Sequence, residues 1–338
     1  MAKKKEGANR LTHFVCSNTQ IFVYPWFFVS NFANIKVRTG FNFKKFNKRA
    51  GKRNTRTLII YCMATLGIDI GGTNLSLGLV ENGKIIQEIH TPSFRPEMTL
   101  DETLDYLAAQ IEKVFRAGTE KIGIGVPSVV DVKQGIVYDT QNIPSWTVVP
   151  LKERLEKRFG VPVAVNNDAN CFAMGVYGTY PADAKPESLV VVTLGTGVGM
   201  GIVLDGELFC GANCGAGELG CLPYKDGILE DYCGKKFFTS AGWDSRDAAT
   251  KAKEGDPDAL LLFDEFGQHL GALVCTVMYA YDPTHIVLAG GIANNYPFFR
   301  QAMEEYIRES FPYGKAVERL TLDICTDDNI PVLGASLI

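Results

Sequence analysis

Between residues 63 and 338 the apolar positions fall into short runs bounded by Gly, Pro and Asn, the rhythm of an α/β protein. Strands are predicted at 66–70, 75–80 and 85–89, the last two joined by the turn Glu81-Asn82-Gly83-Lys84, which makes a β-meander. Thr99 followed by Glu102 is a capping-box start for an amphipathic helix running to about Ala117, where Gly118 supplies a stop. A strand at 122–126 ends at Pro127. A helix from Leu151 to Phe159 is closed by Gly160, and a buried strand at 161–165 delivers Asn166-Asn167-Asp168 to the start of a helix over 169–178. Pro181 and Pro186 bracket a polar connector. The pattern then restarts: strand 189–193, a glycine loop, strand 202–204 and a hairpin turn at Asp205-Gly206. The echo predicts two related α/β lobes. A long helix at 260–281 precedes strand 286–288, and Gly334-Ala335-Ser336 is expected to open a last short helix.

Residues 1–62 break the pattern. They hold 13 Lys and Arg against the single acid Glu6, with no periodicity of either kind. A basic, acid-poor transit peptide, a disordered basic arm and translated upstream sequence all fit such a stretch. The third fits best, because an ordered strand begins abruptly after Met63. The rest of the chain then carries 21 basic against 37 acidic residues, a poor match for a phosphate backbone, so nucleic-acid binding by the main body is not expected. No run of eighteen apolar residues exists, so no membrane span is expected, and nine cysteines without regular short spacing point to a reducing cytoplasm. With 46% hydrophobic and 21% charged residues, the composition is that of a globular protein.

Glycine placement brings in the chemistry. Asp69-Ile70-Gly71-Gly72-Thr73-Asn74 puts an acid at a strand end and then a turn whose bare backbone lets N–H groups approach an anion. Asp69 can hold a metal ion through a water, and Thr73 can donate to phosphate. A plain hairpin turn is the weaker, competing reading of this motif alone. Gly195-Thr196-Gly197-Val198-Gly199 is a second such loop, again leaving a strand, and Leu288-Ala289-Gly290-Gly291-Ile292 is a third turn, suited to the flat approach of an adenine ring. Neither of the first two loops ends in Gly-Lys-Ser or Gly-Lys-Thr, and strand-like residues follow where a dinucleotide fingerprint needs a helix.

Asp-Ile-Gly-Gly-Thr-Asn, Asn-Asp-Ala-Asn, Leu-Gly-Thr-Gly-Val-Gly, Ala-Gly-Glu-Leu-Gly and Ala-Gly-Gly-Ile, in this order from Leu66 to Ser336, resemble the ROK family of sugar kinases and sugar-responsive repressors. The resemblance implies an α/β, two-lobed, actin-like ATPase fold of the hexokinase and ribonuclease H-like type with a cleft between lobes. The smaller lobe is expected at 63–185 plus 325–338 and the larger at 186–324. It further implies ATP and Mg2+, a sugar substrate and a homodimer. Asp168 corresponds to the general base that accepts the sugar hydroxyl's proton; a lone Asp there would otherwise read as a helix cap. Asn167, Asn142 and Glu218 match sugar contacts, and Ser128 stands where the family's substrate loop usually has Gly. Glucose is the default substrate, with allose, fructose, mannose and N-acetylmannosamine open.

The family's zinc box is broken. Cys221 replaces its His, and aligning Cys233-Gly234 puts Asp231, Phe238 and Ser240 at two cysteines and a glutamate, so no zinc is expected. Cys210, Cys214, Cys221 and Cys233 could instead form a four-thiolate site, although packing of Tyr232, Phe237 and Phe238 accounts for the segment more simply. Glu230 or Asp231 is the candidate to replace the missing acid. The non-enzymatic alternative is a sugar sensor of the repressor branch, but residues 1–62 show no pair of amphipathic helices for a helix-turn-helix.

Overall fold

Alternation of buried and exposed side chains builds the first sheet. In the computed structural model, which describes residues 63–338 and two upstream strands, β1 (Phe14–Cys16) and β2 (Thr19–Ile21), the chain divides at Cys62/Met63 into two units. β1 and β2 pair antiparallel; the other expectations for residues 1–62 lie outside the described residues.

The second unit opens with β3 (Ala64–Ile70), β4 (Asn74–Glu81) and β5 (Lys84–Pro92), an antiparallel meander. Its second turn places Asn82 and Gly83 at φ 51° and 72°, the left-handed pair that a two-residue hairpin requires. Next comes α1 (Leu100–Val114), whose capping box forms as expected, Thr99 Oγ1 accepting from Glu102 N and Glu102 Oε2 accepting from Thr99 N. It ends at Val114, short of Ala117, because Phe115 is already extended and its N–H takes the last helical carbonyl, that of Ile111. β6 (Thr119–Val126) then pairs parallel with β3.

A small sheet follows that was not expected: β7 (Val129–Asp131), β8 (Ile136–Tyr138) and β9 (Val148–Val149). α2 (Leu151–Phe159) ends at Gly160 in the left-handed region, as predicted. β10 (Val163–Asn167) joins β6 in parallel and feeds α3 (Asp168–Thr179).

The pattern then repeats. β11 (Ser188–Leu194), β12 (Val198–Leu204) and β13 (Glu207–Leu208) form a second meander. A hairpin of β14 (Pro223–Tyr224) and β15 (Gly227–Ile228) leads into α4 (Leu229–Cys233), α5 (Lys235–Ser240), α6 (Ser245–Lys253) and the long α7 (Pro257–Tyr281). β16 (His285–Ala289), α8 (Tyr296–Ser310), α9 (Gly314–Arg319), β17 (Thr321–Cys325) and α10 (Ile330–Leu337) complete the chain. The two five-stranded sheets run β10-β6-β3-β4-β5 and β13-β12-β11-β16-β17, the same order read from opposite edges, with the meander antiparallel and the two added strands parallel in each. The predicted echo is therefore a structural repeat.

By length and composition α7 would pass as a membrane-crossing helix, yet 67% of its apolar window is buried in this protein, where Phe263, Phe266 and Leu270 anchor the core of the second sheet. Between the sheets, α3 packs on β11 and β12 and crosses α10, which in turn lies on β3 and β6. The helix expected to open at Gly334 opens at Ile330, and Gly334 sits inside it at the crossing, where a Cβ would strike the carbonyl oxygen of Cys171.

Candidate active site

Strand β3 carries Asp69 to its carboxyl end, opposite Gly125 of β6 and Ser76 of β4. The loop that follows is closed by Gly71 N donating to Asn74 O at 2.9 Å. Ser93 braces it, its Oγ donating to Gly71 O at 2.7 Å and its N to Thr73 O at 2.9 Å. A Cβ on Gly72 would lie 3.1 Å from Nδ2 of Asn142, so the predicted sugar contact and the first glycine loop are neighbours.

The second loop joins β11 to β12, with Gly195 N donating to Gly197 O at 3.0 Å. Thr196 is exposed at its tip. Glu230 Oε2 accepts from Val198 N at 2.8 Å, and the same carboxylate fills the space a side chain on Gly197 would need. Lys235 N donates to Gly195 O at 2.9 Å, and Ile292 N to Leu194 O at 3.2 Å, so the turn at Gly290 and Gly291 stands beside this loop at the ends of adjacent strands. A Cβ on Gly199 would lie 3.1 Å from that of Ala169, which seats β12 against the first turn of α3.

At that turn is Asp168. The cap position belongs to Asn167, whose Oδ1 accepts from Ala169 N at 2.9 Å and Asn170 N at 3.4 Å; Asp168 is the first helical residue. Asp168 Oδ1 also accepts from Ala169 N, at 2.8 Å, so it shares this first helical N–H with Asn167. Asn167 keeps Nδ2, which makes a 3.4 Å contact with Ser128 O, while the Ser128 hydroxyl donates to Tyr138 O. Burial pushes the Asp168 carboxyl up to about 6, helped by the charge of Glu218 and opposed by the N–H of Ala169. Burial pushes Asp69 up to about 7, and the charge of Asp168 adds to the shift. Asp69, Asp168 and Glu218 thus form a chain of carboxylates that feel one another. Glu218 is exposed and, with Asn213 and Ala216, lines a cavity of about 480 Å³.

The proposed four-thiolate site does not form. Cys210 and Cys214 share Asn166, Cys221 is exposed 3.9 Å from a carboxylate oxygen of Glu218, and Cys233 is buried in the core of the second sheet with its thiol donating to His269 O at 3.4 Å. Among the described residues no group of three or more His, Cys, Asp and Glu side chains is arranged to hold a metal ion. At the aligned zinc-box positions Asp231 instead pairs with Lys236 at 2.7 Å, and Phe238 is fully buried against Phe263 and Phe266. Tyr232 and Phe237 pack on His269, in keeping with the aromatic packing expected of this segment. Ser240 is exposed, whereas Glu230 reaches the second loop. Ser93 and the contact of Glu230 with Val198 carry no local sequence signal, since each partner lies far along the chain and on the backbone.

Residues 65–338 match the ROK family. The chain belongs to that family. A glucokinase of Thermotoga maritima is 30% identical over 286 residues, spanning 73% of this chain and 89% of the relative. A xylose repressor of Bacillus subtilis is 26% identical over 318 residues, 87% of this chain and 78% of the repressor. Among solved structures, a ROK family glucokinase from Streptomyces griseus in complex with glucose and AMPPNP superimposes with a TM-score of 0.65 at 25% identity, covering 81% of this chain and 98% of that one. ROK members of both kinds, sugar kinases and repressors, are therefore relatives of this chain, and its fold is the actin-like ATPase fold.

Proposed function

We propose that this ROK protein phosphorylates a sugar hydroxyl with ATP, glucose being the first candidate, and that Asp168 is the general base. One observation carries the reading: a carboxylate raised to about 6 stands at the head of α3, beside the cap residue Asn167 and within the electrostatic reach of Asp69 and Glu218. Such a group is largely ionised at neutral pH yet basic enough to take a proton as the hydroxyl attacks.

In this reading Glu218, Asn142 and the Nδ2 of Asn167 hold sugar hydroxyls, with the Ser128 backbone setting the position of Asn167. The loops Gly71-Gly72-Thr73-Asn74 and Gly195-Thr196-Gly197-Gly199 offer backbone N–H groups to the phosphates, and Gly290-Gly291 gives the adenine a flat bed. A Cβ on Gly195 or Gly291 would meet nothing within 4 Å, which leaves room for a ligand against both. The glucokinases among the relatives and the glucose–AMPPNP complex support sugar and ATP as substrates. Mg2+ suits Asp69, a largely enclosed carboxylate with no cation partner among the described residues; bound there it would neutralise phosphate charge. The lobes at 63–185 plus 325–338 and at 186–324 would then flank the substrates, in a homodimer in the cytoplasm. Neither nucleic acid nor membrane enters this reading.

Similarity to the xylose repressor favours a second reading, a sugar sensor without turnover. A coupled ADP-release assay over glucose, allose, fructose, mannose and N-acetylmannosamine, with Asp168→Asn beside the parent, separates the two. Sugar-dependent ADP release that the substitution abolishes is the expected result. Turnover that survives Asp168→Asn would sink the mechanism, and sugar binding without turnover would favour the sensor.

A further inference from the structure

After β13 the chain leaves the second sheet and loops across to the first. Cys214 is buried in the core of that first sheet and Cys210 packs at its edge, although both follow a strand of the other sheet in sequence. The loop doubles back, Ala216 N donating to Cys210 O at 3.1 Å, with Gly211 and Cys214 both in the left-handed region at φ 73° and 57°. This brings the two sulfurs together over a single side chain. Asn166 Nδ2 donates to Cys210 Sγ at 3.4 Å, and the Cys214 thiol donates to Asn166 Oδ1 at 3.3 Å.

The same Oδ1 accepts from Asn167 N at 2.8 Å and from Asn170 Nδ2 at 3.0 Å. It is thus the knot that ties the thiol pair to both residues flanking Asp168 and Ala169. Four residues beyond Cys214 the loop ends in Glu218, so a change at the thiols pulls on two parts of the candidate site at once.

We propose that Cys210 and Cys214 are a reversible thiol-oxidation site, closed to an intramolecular disulfide by low-molecular-weight disulfides, and that closure switches the neighbouring site off. Cys210 is the attacking group. It is partly exposed in a loop whose tip, Gly211 to Asn213, is open to solvent. A hydrogen bond from the Cys214 thiol, whose one S–H turns to it from Asn166 Oδ1, and one from the Asn166 amide hold its pKa below the ordinary thiol range against the opposing effect of burial. Its thiolate attacks one sulfur of the small disulfide and expels the other as a thiolate. The Cys214 sulfur, giving up its proton, then attacks the mixed disulfide at Cys210 and expels the second small thiol. Two protein thiols are oxidised and one small disulfide is reduced to two thiols. Closure removes the Cys214 S–H donor from Asn166 Oδ1 and tightens the loop that carries Glu218.

The test uses the full chain with oxidised glutathione as the probe, and reads disulfide formation by peptide mass separately from sugar-dependent ADP release. Expected are the loss of about two mass units from the peptide holding both cysteines, a fall in turnover of at least about tenfold, and recovery of both with dithiothreitol. Cys210→Ser and Cys214→Ser should show neither change, each serving as a check on the other's folding. Closure of the disulfide with turnover unchanged would overturn the switch, and modification confined to exposed Cys221, or a stable mixed disulfide at Cys210, would overturn the pair itself. Because mass is read independently of turnover, a chain that proves to be a sensor still decides whether the pair closes.

Discussion

Burial raises the carboxyls of Asp168 and Asp69 to about 6 and about 7, and this bears on folding as well as on the proposed catalysis. A carboxyl whose folded pKa lies above its unfolded value favours the fold while protonated, and that contribution is lost as pH rises through the folded value. At pH 8 both charges therefore work against the fold. Asp168→Asn is expected to raise stability at pH 8 by on the order of 2 kcal/mol, a gain that fades toward pH 4, while lowering kcat by roughly 10²- to 10⁴-fold. Urea melts at the two pH values and steady-state rates check this together; a variant less stable at pH 8 would contradict it. The acid limb of kcat/KM should centre at about 6, where the base becomes protonated. A limb near 4 would mean that another group accepts the proton. The position of Asp168 at a strand–helix junction was legible in the sequence because a strand, two Asn residues and a helix frame it; that framing alone left cap and base equally open. That Asn167 takes the cap was not legible, since Asn and Asp are equally good at that position. Glu230 stood out as a replacement acid, but its hold on the second loop was illegible for a different reason: the N–H it holds lies 32 residues earlier.

The elements that could be read from sequence are those whose stop signals are local. Thr99 with Glu102, Gly160 after Phe159 and Asn82-Gly83 each act within a few residues, and each behaves in the structure as its type requires. The strands β7 to β9 are too short to show alternation, and β17 has no buried residue to mark it. Helix α8 did carry a signal, in Phe299, Ala302, Met303 and Ile307 at helical spacing. Gly334 misled because glycine commonly stands at a helix boundary. Here it lies mid-helix, against Cys171 and Gly175 of α3, so packing decides its place. Gly334→Ala is expected to cost about 2 kcal/mol or more by denaturant unfolding. Gly314→Ala, where a Cβ meets nothing within 4 Å, should change stability by less than about 0.5 kcal/mol. Equal effects at the two positions would refute the close crossing.

The division at Cys62/Met63 makes a prediction about the whole molecule. A chain beginning at Met63 should keep its sugar-dependent ADP release and its melting temperature within about 4 °C, the shift that about 1 kcal/mol produces. Loss of solubility or activity would assign residues 1–62 a working part. Chelators that strip structural zinc should leave the melting temperature unchanged, because Cys210, Cys214, Cys221 and Cys233 stand in three separate places; a fall would reveal a metal that holds the fold. Helix α3 starts where the outermost strand of one sheet ends and lies flat on the middle of the other. It serves both halves as an axle serves two wheels. When the halves turn against each other, points far from the axle travel and points on it do not. In the proposed kinase the second glycine loop, whose Gly199 packs on Ala169, would ride close to the axle, and the proposed base at the axle's end would keep its distance from that loop while parts farther out swing.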